Sequence, residues 1–247
     1  MLVFGLCLLA PGVTRSDAGL VDVIRKVKPS IVGVGTYSAV RRPPAQLLGT
    51  GFIVHDGRHA ATNFHVVDTE LNSERKEHLV IFVGAGRKVA YRSARVVARD
   101  AEHDLAVLAF DGPALPTLRV RTDEVPPEGS SIAFTGFPIG AVLGLHPVTH
   151  QGIVSAITPI VIPAGTAREL TADKIAALRD PYEVIQLDAT AYPGNSGSPV
   201  YLPADGSVVG VINQVFVKGK KEDVLRDPSA ITYAIPAHYL RTLLEGL

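Results

Sequence analysis

Cysteine is almost absent from this chain: Cys7 is the only one among 247 residues. No disulfide can form within the chain, so stability must come from packing. Cys7 also stands too close to the N-terminus to suit lipid attachment. An excess of charge is missing too. Lys and Arg number 24 against 24 Asp and Glu, so no global field draws the chain to nucleic acid or to an anionic lipid surface. The apolar stretch Leu2–Ala10 is far shorter than the ~20 residues of a bilayer-spanning helix. It has the character of the apolar part of a secretion signal, with Ser16-Asp17-Ala18 as a small-residue cleavage site, although no Lys or Arg precedes it. Residues 1–18 are therefore read as a signal peptide, and the mature chain as exported, periplasmic or secreted, with no stable membrane insertion after cleavage. Internal repeats and low-complexity tracts are also lacking.

What is present suits a folded, turn-rich protein: 47% apolar residues, 23 glycines and 18 prolines. Leu20, Val21, Ile24 and Val27 recur at helical spacing until Pro29 stops them. After that the chain reads as short β runs: Ile31–Val34, Gly51–Val54, Leu79–Val83, Ala94–Ala98, Leu105–Phe110, Ser131–Thr135, Thr149–Ile157, Val184–Leu187 and Val208–Val217. Gly, Pro and Asp turn signals such as Asp56-Gly57 and Asp205-Gly206 separate them. Many strands and few helices predict an all-β barrel or sandwich protein. The charged stretch Val120–Gly129, with its Pro126-Pro127 pair, divides the strands into two groups, residues 19–125 and 126–247. Within the second group, Thr171 is placed to cap a short helix stapled by Leu170 and Ile175. Leu240, Leu243, Leu244 and Leu247 form the apolar stripe of a closing helix after Pro236.

Three residues carry the candidate chemistry. Ser196 lies in the run Tyr192-Pro193-Gly194-Asn195-Ser196-Gly197-Ser198-Pro199. A serine hydroxyl attacks only when a base takes its proton and donors hold the oxyanion that forms. The flanking glycines let the backbone turn tightly enough to aim amide N–H groups inward. His65, in Thr62-Asn63-Phe64-His65-Val66-Val67, supplies the imidazole, and Asp104, in His103-Asp104-Leu105-Ala106-Val107, the carboxylate. Taken singly, each has a plainer reading: a structural histidine, a strand-start aspartate, an ordinary tight turn. The order His, Asp, Ser excludes the α/β-hydrolase plan, which needs G-x-S-x-G, alternating helices and a histidine after the serine. Here the last position of that motif is Ser198, and only His238 follows Ser196. No histidine pair has metal-ligand spacing and the mature chain would lack cysteine ligands, so zinc is not expected. The cluster Lys218–Lys221 reads as a solvated loop tip.

The motifs Gly49-Thr50-Gly51-Phe52-Ile53, Thr62–Val67, Asp104–Leu108, Gly136-Phe137-Pro138-Ile139-Gly140, Gln151-Gly152-Ile153-Val154-Ser155, Asp188–Pro199 and Tyr233-Ala234-Ile235-Pro236 stand in an order that resembles the Deg/HtrA branch of the trypsin-like serine proteases. The resemblance covers roughly residues 20–245 and implies two six-stranded antiparallel β-barrels with the active site between them. It implies a serine endopeptidase that works without metal or cofactor on polypeptide substrates, with Ser196 as nucleophile, His65 as base and Asp104 orienting it. The backbone of the Gly194-Asn195-Ser196 turn would supply the oxyanion hole. Thr190 matches the base of the primary substrate pocket, and a threonine there predicts small or medium aliphatic residues before the scissile bond. Tyr192, Val211, Ile212 and Asn213 are the other expected substrate contacts, with Val211–Val215 pairing the substrate backbone as an added strand. Ser198 and Tyr192 depart from the family's usual Gly and Asn. Family members often carry a C-terminal PDZ domain. Only 11 residues follow Pro236, so the expectation is a protease domain alone, its assembly state open and a homo-oligomer among the options. The competing reading is a catalytically silent or latent protease fold that binds peptides as a holdase.

Overall fold

The computed structural model describes residues 17–121, 125–138, 144–159, 181–215 and 232–247. The expected signal peptide, apart from its last two residues, the helix around Thr171 and the Lys218–Lys221 cluster lie outside these residues. A helix α1 (Asp17–Val27) ends in a 3-10 turn, Lys28–Ser30, where Pro29 stops it. Strands β1 (Ile31–Tyr37), β2 (Ala45–Val54) and β3 (His59–Thr62) follow, then a single helical turn α2 (Phe64–Val67). Next come β4 (His78–Val83), β5 (Ala90–Asp100) and β6 (Leu105–Phe110). The second half holds β7 (Ser131–Gly136), β8 (Val148–Pro159), β9 (Glu183–Asp188), β10 (Pro199–Tyr201), β11 (Val208–Val215), β12 (Thr232–Pro236) and a closing helix α3 (Ala237–Glu245).

Two closed six-stranded barrels result, every strand pair antiparallel. The first runs β1-β2-β3-β6-β5-β4, and the second repeats that order as β7-β8-β9-β12-β11-β10. This is the architecture expected from the sequence. The expected boundary at 125/126 falls between β6 and β7, in a segment of which 122–124 are not described. No helix among the described residues is long and apolar enough to cross a membrane.

Three apolar layers hold the molecule together. Val32, Ile53, Ile81, Ala106 and Leu108 fill the first barrel. Ile132, Phe134, Ile185, Val200 and Ile212 fill the second. Between the barrels, Phe52, Leu105 and Val107 meet Phe137, Tyr201 and Val211, closed off by Val23 and Val27 of α1 and Leu240 of α3. Strand β6 shows why this matters. All six of its residues are buried, because its alternate faces point into the first barrel and into the inter-barrel seam. The apolar residues of a strand that lies between two cores are all driven inward. The α3 stripe is the amphipathic face that covers the open end of this seam.

His150 on β8 stacks on Phe134, ring centroids 4.7 Å apart and planes at 17°. Its Nε2 is buried with no hydrogen-bond partner among the described residues. Burial pushes this imidazole below its ordinary range, and partial desolvation together with the neighbouring His103 lowers the more exposed His238. The folded state therefore prefers these rings neutral, whereas the unfolded chain protonates them near 6.5. Stability is then lost as pH falls through that value and levels off only below the folded-state pKa. The melting temperature is expected to drop between pH 7 and pH 5, and His150→Leu to flatten that drop. An unchanged slope in the variant would remove His150 from the account.

Candidate active site

The pairing of β3 with β6 brings two distant segments together. Thr62 lies opposite Ala106, so α2, which follows β3, meets the turn that precedes β6. Asp104 sits in that turn with φ of 51°, a left-handed conformation that Asp and Asn tolerate better than other side-chain-bearing residues. Its C=O accepts hydrogen bonds from the Phe64 N–H at 3.1 Å and from the Asn63 side-chain amide at 3.0 Å. Its carboxylate takes hold of His65 twice. Oδ1 accepts the His65 backbone N–H at 2.8 Å, and Oδ2 lies 2.6 Å from Nδ1. A carboxylate can only accept, so Nδ1 carries the proton and Nε2 keeps its lone pair free. The ring is one-third exposed and the carboxylate one-fifth. A partly buried acid thus orients a ring that is itself partly open to solvent.

Ser196 is delivered from the second barrel. The Asn195 N–H donates to Tyr192 C=O at 3.0 Å, closing a four-residue turn. Pro193 occupies its second position, and Gly194, with φ of 100°, its third. Positive φ at the third position with proline at the second defines a type II turn, and only glycine enters it freely. The Ser198 N–H bonds back to Asn195 C=O at 2.9 Å. Ser196 Oγ donates to the Asn213 C=O at 3.1 Å, and no hydrogen bond joins it to His65 among the described residues. The two halves of the site nevertheless abut. A Cβ built on Gly49 would come within 2.8 Å of Val66, the neighbour of His65, and within 3.0 Å of Ser196 O.

The expected substrate contacts divide. Asn213 adjoins Ser196 through its carbonyl. Thr190 is exposed and Tyr192 half-buried, with the Tyr192 ring 6.1 Å from His150. Val211 and Ile212 are fully buried, and their backbones are already engaged. Val211 pairs with Pro199 on one side and Ile235 on the other. Ile212 donates to Ser198 C=O at 2.8 Å and accepts from Gly197 N–H at 2.9 Å. Neither has a free edge for an added strand, so that expectation narrows to Asn213 and the residues after it. The reason is closure: a barrel strand is paired on both sides until it leaves its neighbours.

Ser198, the departure noted in the sequence, is fully buried. Its hydroxyl lies only 2.0 Å from where a Cβ on Gly136 would stand. The missing side chain at 136 makes the room that the extra hydroxyl at 198 fills. Thr50, Asn63 and Gly136 stand inside the sequence motifs, where residue type alone gives them no role. Asn63 stands at the start of α2, yet its Oδ1 makes no capping bond, while its side-chain NH₂ donates to the Asp104 C=O.

Residues 49–211 match the family model of the trypsin-like peptidase domain. A probable periplasmic serine endoprotease, DegP-like, of Halomonas elongata is 34% identical over 190 residues, 77% of this chain and 33% of that protein. The chain thus spans about a third of the length of that curated relative. Among solved structures, the serine endoprotease of Yersinia pestis superposes with a TM-score of 0.62 at 24% identity, covering 92% of this chain and 65% of that one. An HtrA-type protease solved with a tripeptide gives 0.64 at 23% identity, covering 92% and 62%. At such identities the superpositions speak to the fold.

Proposed function

From the premise that this chain belongs to the trypsin-like peptidase family, we propose that it is a serine endopeptidase of the Deg/HtrA type, working through His65, Asp104 and Ser196. The observation that carries the reading is the double grip of the Asp104 carboxylate on His65, which leaves Nε2 as the free base. In the reaction Ser196 Oγ turns from Asn213 to His65 and attacks the peptide carbonyl. His65 Nε2 takes the hydroxyl proton, and the C=O becomes an oxyanion held by the Gly194 and Ser196 N–H groups. The imidazolium, stabilised by Asp104, passes that proton to the departing amine and leaves an acyl-enzyme. Water then attacks the ester. His65 again takes a proton and returns it to Ser196 as the acid product departs. The same turn of Ser196 frees the Asn213 carbonyl for the N–H of an extended substrate, so binding and activation favour one arrangement.

Unfolded or exposed polypeptide segments are the proposed substrates, met in the periplasm after export, as the name of the curated relative supports. Thr190 offers no charge to balance Lys or Arg. Peptide libraries should therefore show small or medium aliphatic residues before the cleaved bond, and a profile dominated by Arg or Lys would overturn this. The test of the reaction itself is labelling by a fluorophosphonate probe together with casein degradation by the purified chain. Labelling confined to Ser196 supports the enzyme. A second reading, a latent protease fold that binds peptides without turnover, is favoured by the Ser196 hydroxyl resting on Asn213. Peptide binding with no labelling under varied conditions would establish it.

A further inference from the structure

Thr50 is fully buried in β2, yet its polar atoms reach across the seam between the barrels. Its N–H donates to Ser196 C=O at 2.8 Å. Its hydroxyl donates to Gly194 C=O at 2.6 Å and accepts from the Phe137 N–H at 3.0 Å. Its own C=O accepts the Thr62 hydroxyl at 2.7 Å. Because Phe137 N–H occupies one side of the Thr50 oxygen, the hydroxyl proton is left to point at Gly194.

These bonds fix the two peptides that flank the nucleophile. The Gly194–Asn195 peptide is held at both ends, its C=O by the Thr50 hydroxyl and its N–H by Tyr192 C=O. The Ser196–Gly197 peptide is held likewise, its C=O by the Thr50 N–H and its N–H by Ile212 C=O. The Gly194 N–H, assigned above to the oxyanion, belongs to the peptide just before the first of these. Its direction is set by φ of Gly194, and glycine adopts either sign of φ with little preference. A negative value would convert the type II turn to type I and flip the Pro193–Gly194 peptide. Pro193 before Gly194 already favours the type II form, and contacts from outside the turn can hold it there.

We propose that Thr50 is a positioning residue: by holding the peptides on both sides of the Asn195–Ser196 peptide it steadies the turn that presents the Gly194 and Ser196 N–H groups to the oxyanion. This rests on the endopeptidase reading above. Gly136 serves the same arrangement, since a Cβ there would come within 2.9 Å of the Thr50 hydroxyl oxygen and 2.8 Å of Asn195 Oδ1. The first barrel thus sets the geometry of a turn that belongs to the second.

Thr50→Val keeps the shape and deletes the hydroxyl, whereas Thr50→Ser keeps the hydroxyl and deletes the methyl. The full chain and both variants are compared for kcat and KM on a peptide substrate, for the rate of fluorophosphonate reaction at Ser196, and for affinity toward a peptide aldehyde. Thr50→Val should lower kcat, probe reactivity and aldehyde affinity together by about 10- to 100-fold with KM nearly unchanged, and Thr50→Ser should restore them to within about threefold of wild type. A merely structural role would not divide the kinetic constants this way. Equal rates in Thr50→Val and wild type, or a Thr50→Ser variant as impaired as Thr50→Val, would overturn the proposal. If Thr50→Val does not fold, Thr50→Ala set against Thr50→Ser carries the same comparison. A wild-type chain that never reacts at Ser196 would instead overturn the endopeptidase reading and this proposal with it.

Discussion

Ser196→Ala is expected to lower kcat on an unfolded polypeptide by about 10⁴- to 10⁶-fold while leaving the fold in place. The hydroxyl makes one hydrogen bond, to Asn213 C=O, from a half-buried position. Removing it costs about 1 kcal/mol of stability, small beside the catalytic loss. The residue left behind keeps the turn, because the backbone bonds of Asn195, Gly197 and Ser198 do not involve the side chain. Binding of peptides should survive, and the freed Asn213 carbonyl could accept a substrate N–H without competition. Casein degradation, fluorophosphonate labelling and a peptide-binding isotherm measured on the same preparation separate these effects. Degradation undiminished by the substitution would place the chemistry elsewhere in the molecule, or in a contaminant.

Asp104→Asn is expected to cost about 10⁴-fold in kcat, through a tautomer. Asparagine suits the left-handed backbone at this position as well as aspartate does, and the hydrogen bonds that the residue-104 C=O accepts from the Phe64 N–H and the Asn63 side-chain amide are retained. What changes is the inventory of acceptors. The carboxylate offers one oxygen to the His65 N–H and the other to Nδ1. An amide has one oxygen and one NH₂. With its oxygen kept on the backbone N–H, it presents N–H donors to Nδ1, which must then accept. The proton moves to Nε2, the atom that should receive the hydroxyl proton, and the base is lost. The imidazolium also loses its counter-charge. Kinetics combined with proton NMR of the ring in the folded variant would check both halves of the argument. A kcat within tenfold of wild type would mean that Asp104 anchors α2 and does little else.

Much of the architecture could be read before any coordinates. β6 was placed to the residue, because Leu105–Phe110 is a run of apolar residues bounded by turn signals. α1 ended where Pro29 required, and α3 followed the leucine stripe after Pro236. Three strands were not read as strands: β3 (His59–Thr62), β10 (Pro199–Tyr201) and β12 (Thr232–Pro236). Each is short, β3 is half alanine, and the other two are bounded by proline. Local propensity is weak in all three, and they are strands because barrel neighbours on both sides supply the hydrogen bonds. The expected substrate edge narrows for a related reason. Val211 and Ile212 look like Asn213 in sequence, and only the pairing of β11 with β10 and β12 separates engaged backbone from free backbone.

The chain's linear order was enough to propose the reaction type and reacting groups, since an alcohol on a glycine-flanked turn, an imidazole and a carboxylate carry their chemistry in their side chains. It was also enough for two β-rich halves, because turn signals and apolar runs are local. What coordinates alone decided were the relations between parts far apart in the chain: the two-point grip of Asp104 on His65, the resting contact of Ser196 with Asn213, the room at Gly136 for the Ser198 hydroxyl, and the reach of Thr50 across the seam. Hydrogen bonds between backbone groups leave no mark on residue identity, so a carbonyl's partner is set by closure of the barrels and the packing between them.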